Sequence, residues 1–301
     1  MSVRPASFTT RGMTVDITRP LLMGIVNASP DSFSDGGVHA TLDERVALAH
    51  RLVADGAAIL DIGGESATTG RPVVDPGREI ELVVPLVERV AAELDVLISV
   101  DTYKAPVAAA ALEAGAHIVN DVSGLRDPSL AEVCAATGAA LVLMHTAAAP
   151  RVRVQDDDLY DDVVAEVIEF LRGRIEIAAA HGVSRDALIV DPGPDFAKTP
   201  AQTIALLAAV DRLHELGRPV LMAVSRKDFI GALTERAPRG RDAGTLAALA
   251  HGIEHGAQIF RLHDVAAAAD FLKVRGALAG AGGGDAALRL ADELRHEPAS
   301  G

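Results

Sequence analysis

The 301-residue chain has no tryptophan, two tyrosines, seven phenylalanines and a single cysteine. Aromatic stacking on nucleic-acid bases is therefore not on offer, and the core has to be assembled from Ala, Val, Leu and Ile. The lone Cys134 excludes an intrachain disulfide and suits a reducing compartment. Basic residues are short as well: 28 Lys and Arg against 42 Asp and Glu leave a formal net charge of −14. Phosphate backbones and anionic lipid repel such a balance, so nucleic acid and membranes are poor partners. No window approaches the roughly 18 consecutive apolar residues of a membrane span, and Met1 to Pro20 lacks the apolar stretch of a secretory leader.

What the chain does have is an alternation of short apolar runs with longer stretches of helical spacing. The runs are Leu21 to Asn27, Ala58 to Ile62, Leu97 to Asp101, His117 to Val122, Ala140 to His145, Leu188 to Asp191, Val220 to Ser225 and Gln258 to His263. Their near-continuous apolar character is that of parallel strands buried on both faces. The helices between them carry punctuation. Thr41-x-x-Glu44 and Thr199-x-x-Gln202 read as capping boxes, and Gly56, Gly115, Gly138, Gly182, Gly217 and Gly256 read as helix ends. Leu42, Val46, Ala49 and Val53 form the apolar stripe of the first helix. Eight such pairs predict an α/β fold, a single (β/α)8 TIM barrel with parallel strands. An open doubly wound sheet is the alternative, but no G-x-G-x-x-G follows the first run. Residues 1–20 are expected to form an N-terminal extension or hairpin, 21–278 the barrel, and 279–301, which opens on a glycine-rich stretch, a flexible tail.

A barrel works at the carboxyl ends of its strands, and that is where the polar residues fall. In order they are Asn27, Asp61 with Glu65, Asp101, Asn120 with Asp121, His145, Asp191, Ser225-Arg226-Lys227, and Arg261 with His263. One Asp after a strand is an ordinary helix cap; eight polar strand ends are a pattern. Asp101, Asn120 and Asp191 supply acceptors and an amide, which suit the donor-rich edge of a flat heterocycle such as an aminopyrimidine. Lys227, Arg261, His263 and the Asn27 amide supply donors and positive charge, which suit a phosphate or diphosphate. The pattern asks for a neutral ring joined to a phosphorylated arm.

These residues lie in segments that resemble the signatures of the dihydropteroate synthase family: Asn27-Ala28-Ser29-Pro30-Asp31-Ser32-Phe33-Ser34-Asp35-Gly36-Gly37, Asp61-Ile62-Gly63-Gly64-Glu65-Ser66, Ser99-Val100-Asp101-Thr102, Asn120-Asp121-Val122-Ser123-Gly124, Asp191-Pro192-Gly193, Ser225-Arg226-Lys227 and Arg261-Leu262-His263-Asp264. They keep the family's order from residue 21 to about 275. The resemblance implies a TIM barrel that condenses 6-hydroxymethyl-7,8-dihydropterin diphosphate with 4-aminobenzoate, using Mg²⁺, as a cytoplasmic homodimer. It implies that Asp101, Asn120, Asp191 and Lys227 hold the pterin. Asn27, Arg261 and His263 would hold the diphosphate, Asn27 by way of the metal. Asp101, Lys227 and Arg261 would carry the catalysis, and the first loop, Ala28 to Gly37, would be a lid.

The chain departs from the family in the possible amine loop. Ala67, Thr68 and Thr69 stand where the family usually has Ser or Thr followed by Arg-Pro. Asp195 and Ala197 replace usual glycines, and Asp228 follows Lys227, as in actinobacterial paralogues of the synthase. The alternatives are thus a pterin-binding paralogue that lacks synthase activity or takes another amine, and a corrinoid-type methyl-transfer domain. Three other features read as structural. His251-x-x-Glu254-His255 matches an inverted zinc-peptidase pattern but sits on an outer helix, Asp156-Asp157-Asp158 lacks the turn of a Ca²⁺ loop, and Cys134 lies in an apolar helix. His145 is expected to face the pocket without a catalytic task.

Overall fold

Apolar runs too short to bury themselves, each followed by a helix with one apolar stripe, cover both sheet faces when the strands close into a ring. The computed structural model describes residues 4–28, 41–65, 73–280, 288–291 and 294–295. The ring consists of β3 (Leu21–Asn27), β4 (Ile59–Gly63), β5 (Leu97–Asp101), β6 (Ile118–Asp121), β7 (Ala140–Met144), β8 (Leu188–Asp191), β9 (Leu221–Met222) and β10 (Ile259–Leu262). All pair in parallel in the order β8-β7-β6-β5-β4-β3-β10-β9, and a bridge between Val190 and Val220 joins the two ends. The chain is therefore a (β/α)8 barrel and not an open sheet. The seventh strand is shorter than its apolar run, since β9 pairs only Leu221 and Met222 with β10.

Outside the ring lie α1 (Leu42–Ala54), α2 (Pro76–Glu93), α3 (Ala105–Glu113), α4 (Ser129–Thr137), α5 (Val163–Ala180), α6 (Pro200–Ala208), α7 (Asp228–Thr234), α8 (Asp242–Glu254) and α9 (Val265–Leu278). Thr41 and Thr199 form reciprocal capping boxes with Glu44 and Gln202, which fixes where α1 and α6 begin. The helix-ending glycines all have positive φ, from +62° at Gly217 to +119° at Gly115. In α1 the stripe turned to the core is Val46, Ala49 and Leu52, with Leu42 and Val53 at its edge. Among the described residues no helix is long and apolar enough to cross a membrane.

An antiparallel hairpin of β1 (Ser7–Thr10) and β2 (Met13–Asp16) closes the amino end of the barrel. Phe8 and Ile17 are buried among Met23, Ile59, Ile118, Ile189 and Ile259, the inner residues of the strands. The Thr10 hydroxyl donates to the His117 carbonyl, and Arg11 Nη1 donates to the carbonyls of Leu112 and Ala116 at 2.8 and 2.7 Å. That end of the barrel interior is plugged by apolar side chains, and the polar residues collect at the carboxyl end.

Candidate active site

The period of two along a strand decides what reaches the pocket. Inner positions are apolar near the hairpin and polar two residues later: Ile59 then Asp61, Leu97 then Ser99, Ile118 then Asn120, Ile189 then Asp191, Ile259 then Arg261. The register pairs Asp61 with Ser99, Asp101 with Asn120, and Asp191 with Met144. A layer rich in hydrogen-bonding groups toward the carboxyl end thus lies above the apolar residues next to the hairpin.

Arg261 crosses this layer. Its Nε donates to Asp61 Oδ2 at 2.6 Å and its Nη2 to Asp101 Oδ2 at 2.9 Å. Asn120 Nδ2 donates to the same Asp61 oxygen at 3.0 Å. Burial works against the Arg261 charge, but Asp61 and Asp101 outweigh it and hold its pKa above the ordinary arginine value. Burial pushes the Asp101 carboxyl up; Arg261 pulls it down again and Asp61 adds to the rise. Two acceptors on the pocket floor, Asp61 Oδ1 and Ser99 Oγ, are buried with no hydrogen-bond partner among the described residues.

On the opposite side, Asp191 accepts from the Gly193 N–H at 2.7 Å, yet burial lifts its pKa to about 6. Burial lowers Lys227, while Asp195 and Asp191 counteract. Its ammonium stands 4.5 Å from the centre of the Phe196 ring. His263 shares a 2.9 Å hydrogen bond between Nδ1 and Ser225 Oγ, and burial followed by Arg261 lowers its pKa to about 4. With that shift it is uncharged at pH 7, where the sequence pattern grouped it with the cations. Asn27 ends β3 opposite Gly63. Asp101, Asn120, Asp191, Lys227 and Arg261 therefore converge, with His263 beside Arg261. Ala67, Thr68, Thr69 and the first loop beyond Ala28 lie outside the described residues.

Sequence reading assigned no role to three groups at this mouth. Asp61 was visible as a charge inside an apolar run, a position that demands a partner. Lys198 is fully buried, and its Nζ lies 2.8 Å from His145 Nδ1, 2.9 Å from the Gly193 carbonyl and 3.0 Å from that of Phe196. Burial lowers the Lys198 pKa to about 7, and burial with the Lys198 charge lowers that of His145 to about 2. Beside Asp101, Lys104 Nζ donates to Glu65, Glu79 and the Val74 carbonyl at 2.7, 2.6 and 2.7 Å. Tyr103 adds a 2.9 Å bond to Glu65. A pocket between Glu65, Asp101, Tyr103, Arg151 and Phe196 opens from this cluster.

The remaining motifs are structural. His251 and His255 stack with ring centroids 4.0 Å apart, and their ring nitrogens face the carbonyls of Leu207 and His251. No three His, Cys, Asp or Glu side chains among the described residues form a metal-holding group. Burial raises the Cys134 thiol to about 12, which makes it inert.

A parallel barrel whose mouth gathers acids, an amide and buried cations is the frame of a pterin-binding enzyme, and residues 23–263 match the family model described as pterin binding enzyme. The Bacillus subtilis dihydropteroate synthase is 41% identical over 88% of this chain and 90% of its own length. The Xanthomonas albilineans dihydropteroate synthase, solved with 4-aminobenzoic acid, superposes with a TM-score of 0.84 at 44% identity, covering 91% of this chain and 98% of that one. The same enzyme in complex with 7,8-dihydropteroate gives a TM-score of 0.81 at 43% identity over the same shares. The chain belongs to the dihydropteroate synthase family.

Proposed function

We propose that the chain is a transferase that condenses 6-hydroxymethyl-7,8-dihydropterin diphosphate with 4-aminobenzoate. The amine nitrogen attacks the pterin methylene carbon, the bond from that carbon to the diphosphate oxygen breaks, the electron pair leaves with pyrophosphate, and the nitrogen loses a proton to solvent. The relatives solved with 4-aminobenzoic acid and with 7,8-dihydropteroate support this reading. The observation that carries it is the Arg261 guanidinium tied to Asp101 and Asp61, which sets a tail-binding cation directly beside the ring-binding Asp101.

Asp101, Asn120, Asp191 and Lys227 hold the ring, and Arg261, His263 and Asn27 hold the diphosphate. As the carbon–oxygen bond lengthens, negative charge grows on the departing pyrophosphate and positive charge on the methylene. Arg261 beside the departing group and the Asp101 and Asp191 carboxylates beside the ring stabilise both. Asn27 offers one neutral amide oxygen, a donor set that suits Mg²⁺ carried in on phosphate oxygens rather than caged by protein. When bound, that ion neutralises charge on the leaving group. The enzyme acts in the cytoplasm as a homodimer, with the barrel of residues 21–278 as its working unit.

Pyrophosphate release that requires both the pterin diphosphate and the amine is the expected result; release without the amine, or none at all, would refute the synthase reading. A pterin-binding paralogue that lacks the activity or takes another amine is favoured by one observation. Asp195 Oδ2 accepts from the Asp228 N–H at 2.5 Å, and both carboxylates add to Asp191 around Lys227. Stabilisation by the pterin diphosphate without turnover on 4-aminobenzoate would identify that paralogue.

A further inference from the structure

The ring and tail halves of the site are joined beneath the pocket by one carboxylate that belongs to neither. Asp61 sits mid-strand in β4, fully buried, and a single oxygen of it accepts from both Arg261 Nε and Asn120 Nδ2. We propose that Asp61 is a positioning residue that sets the Arg261 plane and the Asn120 amide together, so that one group tunes how the site meets the diphosphate and how it meets the ring. The inference rests on the synthase reading above.

Two geometric consequences support it. A guanidinium is planar and has five N–H donors in a fixed fork. Tying Nε to Asp61 and one Nη2 hydrogen to Asp101 fixes the plane and leaves three donors, including both on Nη1, for the diphosphate. An ionised carboxylate only accepts, so Asn120 must turn its NH₂ toward Asp61 and its carbonyl oxygen away. An amide at position 61 would remove both constraints. Arg261 would lose one charged anchor, and Asn120 could flip, because an amide offers either a donor or an acceptor.

The test is a double-mutant cycle on the full chain, with Mg²⁺-pyrophosphate as the probe in calorimetry and thermal unfolding as the check on folding. Asp61→Asn is expected to weaken pyrophosphate binding about tenfold in the wild-type background and to add nothing in an Arg261→Ala background. The same loss in both backgrounds, or no loss in either, would overturn the inference and leave the synthase reading standing. Absence of pyrophosphate binding by the wild type would overturn both. Should Asp61→Asn fold poorly, the wild type itself provides a readout. The Arg261 Nε–H resonance, assigned by its loss in Arg261→Ala, is expected to exchange slowly with solvent and to persist when pyrophosphate is added. Its broadening away on pyrophosphate binding would show that Asp61 does not hold the arginine in the loaded site.

Discussion

Lys198 gives the sharpest test of the electrostatics, because its two protonation states both fit the same cage. As an ammonium it donates to His145 Nδ1 and to the Gly193 and Phe196 carbonyls. As an amine it keeps two donors for the carbonyls and accepts from an Nδ1–H of His145, which is neutral because its pKa lies near 2. The proton on Lys198 therefore decides the His145 tautomer. Lys198→Met removes the group while keeping its length. At pH 6 it strands two carbonyls and one imidazole nitrogen but relieves a buried charge, so the net cost is small, on the order of 1 kcal/mol. The pKa falls from 10.5 unfolded to about 7 folded, so the unfolded chain binds more protons between those values, and wild-type stability gains from rising pH across that window. The gain approaches about 1.4 kcal/mol per pH unit, and the cost of Lys198→Met grows by roughly 2 to 3 kcal/mol between pH 6 and pH 9. Urea unfolding of both proteins at several pH values measures it, followed by circular dichroism because the chain has no tryptophan. A gap that stays constant or narrows toward pH 9 would refute the assignment of a depressed lysine.

Asp191→Asn should weaken 6-hydroxymethylpterin binding at pH 8 by roughly 1.5–3 kcal/mol. Wild-type affinity should fall as the pH drops through about 6, and the variant should lack that fall in calorimetry. Gly193 has φ +66°, and a Cβ there would sit 2.0 Å from the His145 carbonyl oxygen. Gly193→Ala should thus cost about 3 kcal/mol or more, whereas Gly173→Ala, in open space on α5, should stabilise by up to about 1 kcal/mol in the same melts. Lys104→Met leaves Glu65 and Glu79 buried without their shared ammonium and should cost about 3–5 kcal/mol, part of which Glu79→Gln regains in the double variant. Thr68→Arg should lower the KM for 4-aminobenzoate; an unchanged KM would separate that loop from the amine.

The barrel was legible because its signals are local. Three strands, Leu21–Asn27, Leu97–Asp101 and Leu188–Asp191, coincide with their apolar runs, and both capping boxes form as the sequence spells them. The site was legible to the extent that a strand end implies a direction, which covers Asp101, Asn120, Asp191 and Arg261. Lys198 was not, since a lysine in a loop is ordinarily solvated. What buries it is the turn from Asp191 to Phe196 folding over His145, and no local pattern encodes that. Asp61 could have been found, because an acid between Leu60 and Ile62 in a strand covered on both faces is an unpaired charge until a cation reaches it. The neutrality of His263 was out of reach for the same reason as the Lys198 burial: it depends on desolvation and on cations brought in from elsewhere in the chain.

The paired state of Arg261 also bears on how an acidic protein manages an anionic substrate. A surplus of 14 negative charges disfavours diphosphate approach at long range, yet screening confines that penalty to about one Debye length, roughly 8 Å at physiological salt. Inside the barrel the balance is local: Arg261 and Lys227 face Asp61, Asp101 and Asp191 in surroundings where each pair counts for more than it would in water. An unpaired arginine there would be costly in the empty protein, and the carboxylates remove that cost without using all of its donors. On the proposed roles, substrate adds charge of the missing sign at the open side of the guanidinium, while the acids stay beside the ring. In the proposed reaction the anion would form next to Arg261 and the cation next to Asp101, which are already held 2.9 Å apart. The ion pair that stabilises the free pocket therefore has the polarity of the reaction, and little reorganisation is left for the chemical step.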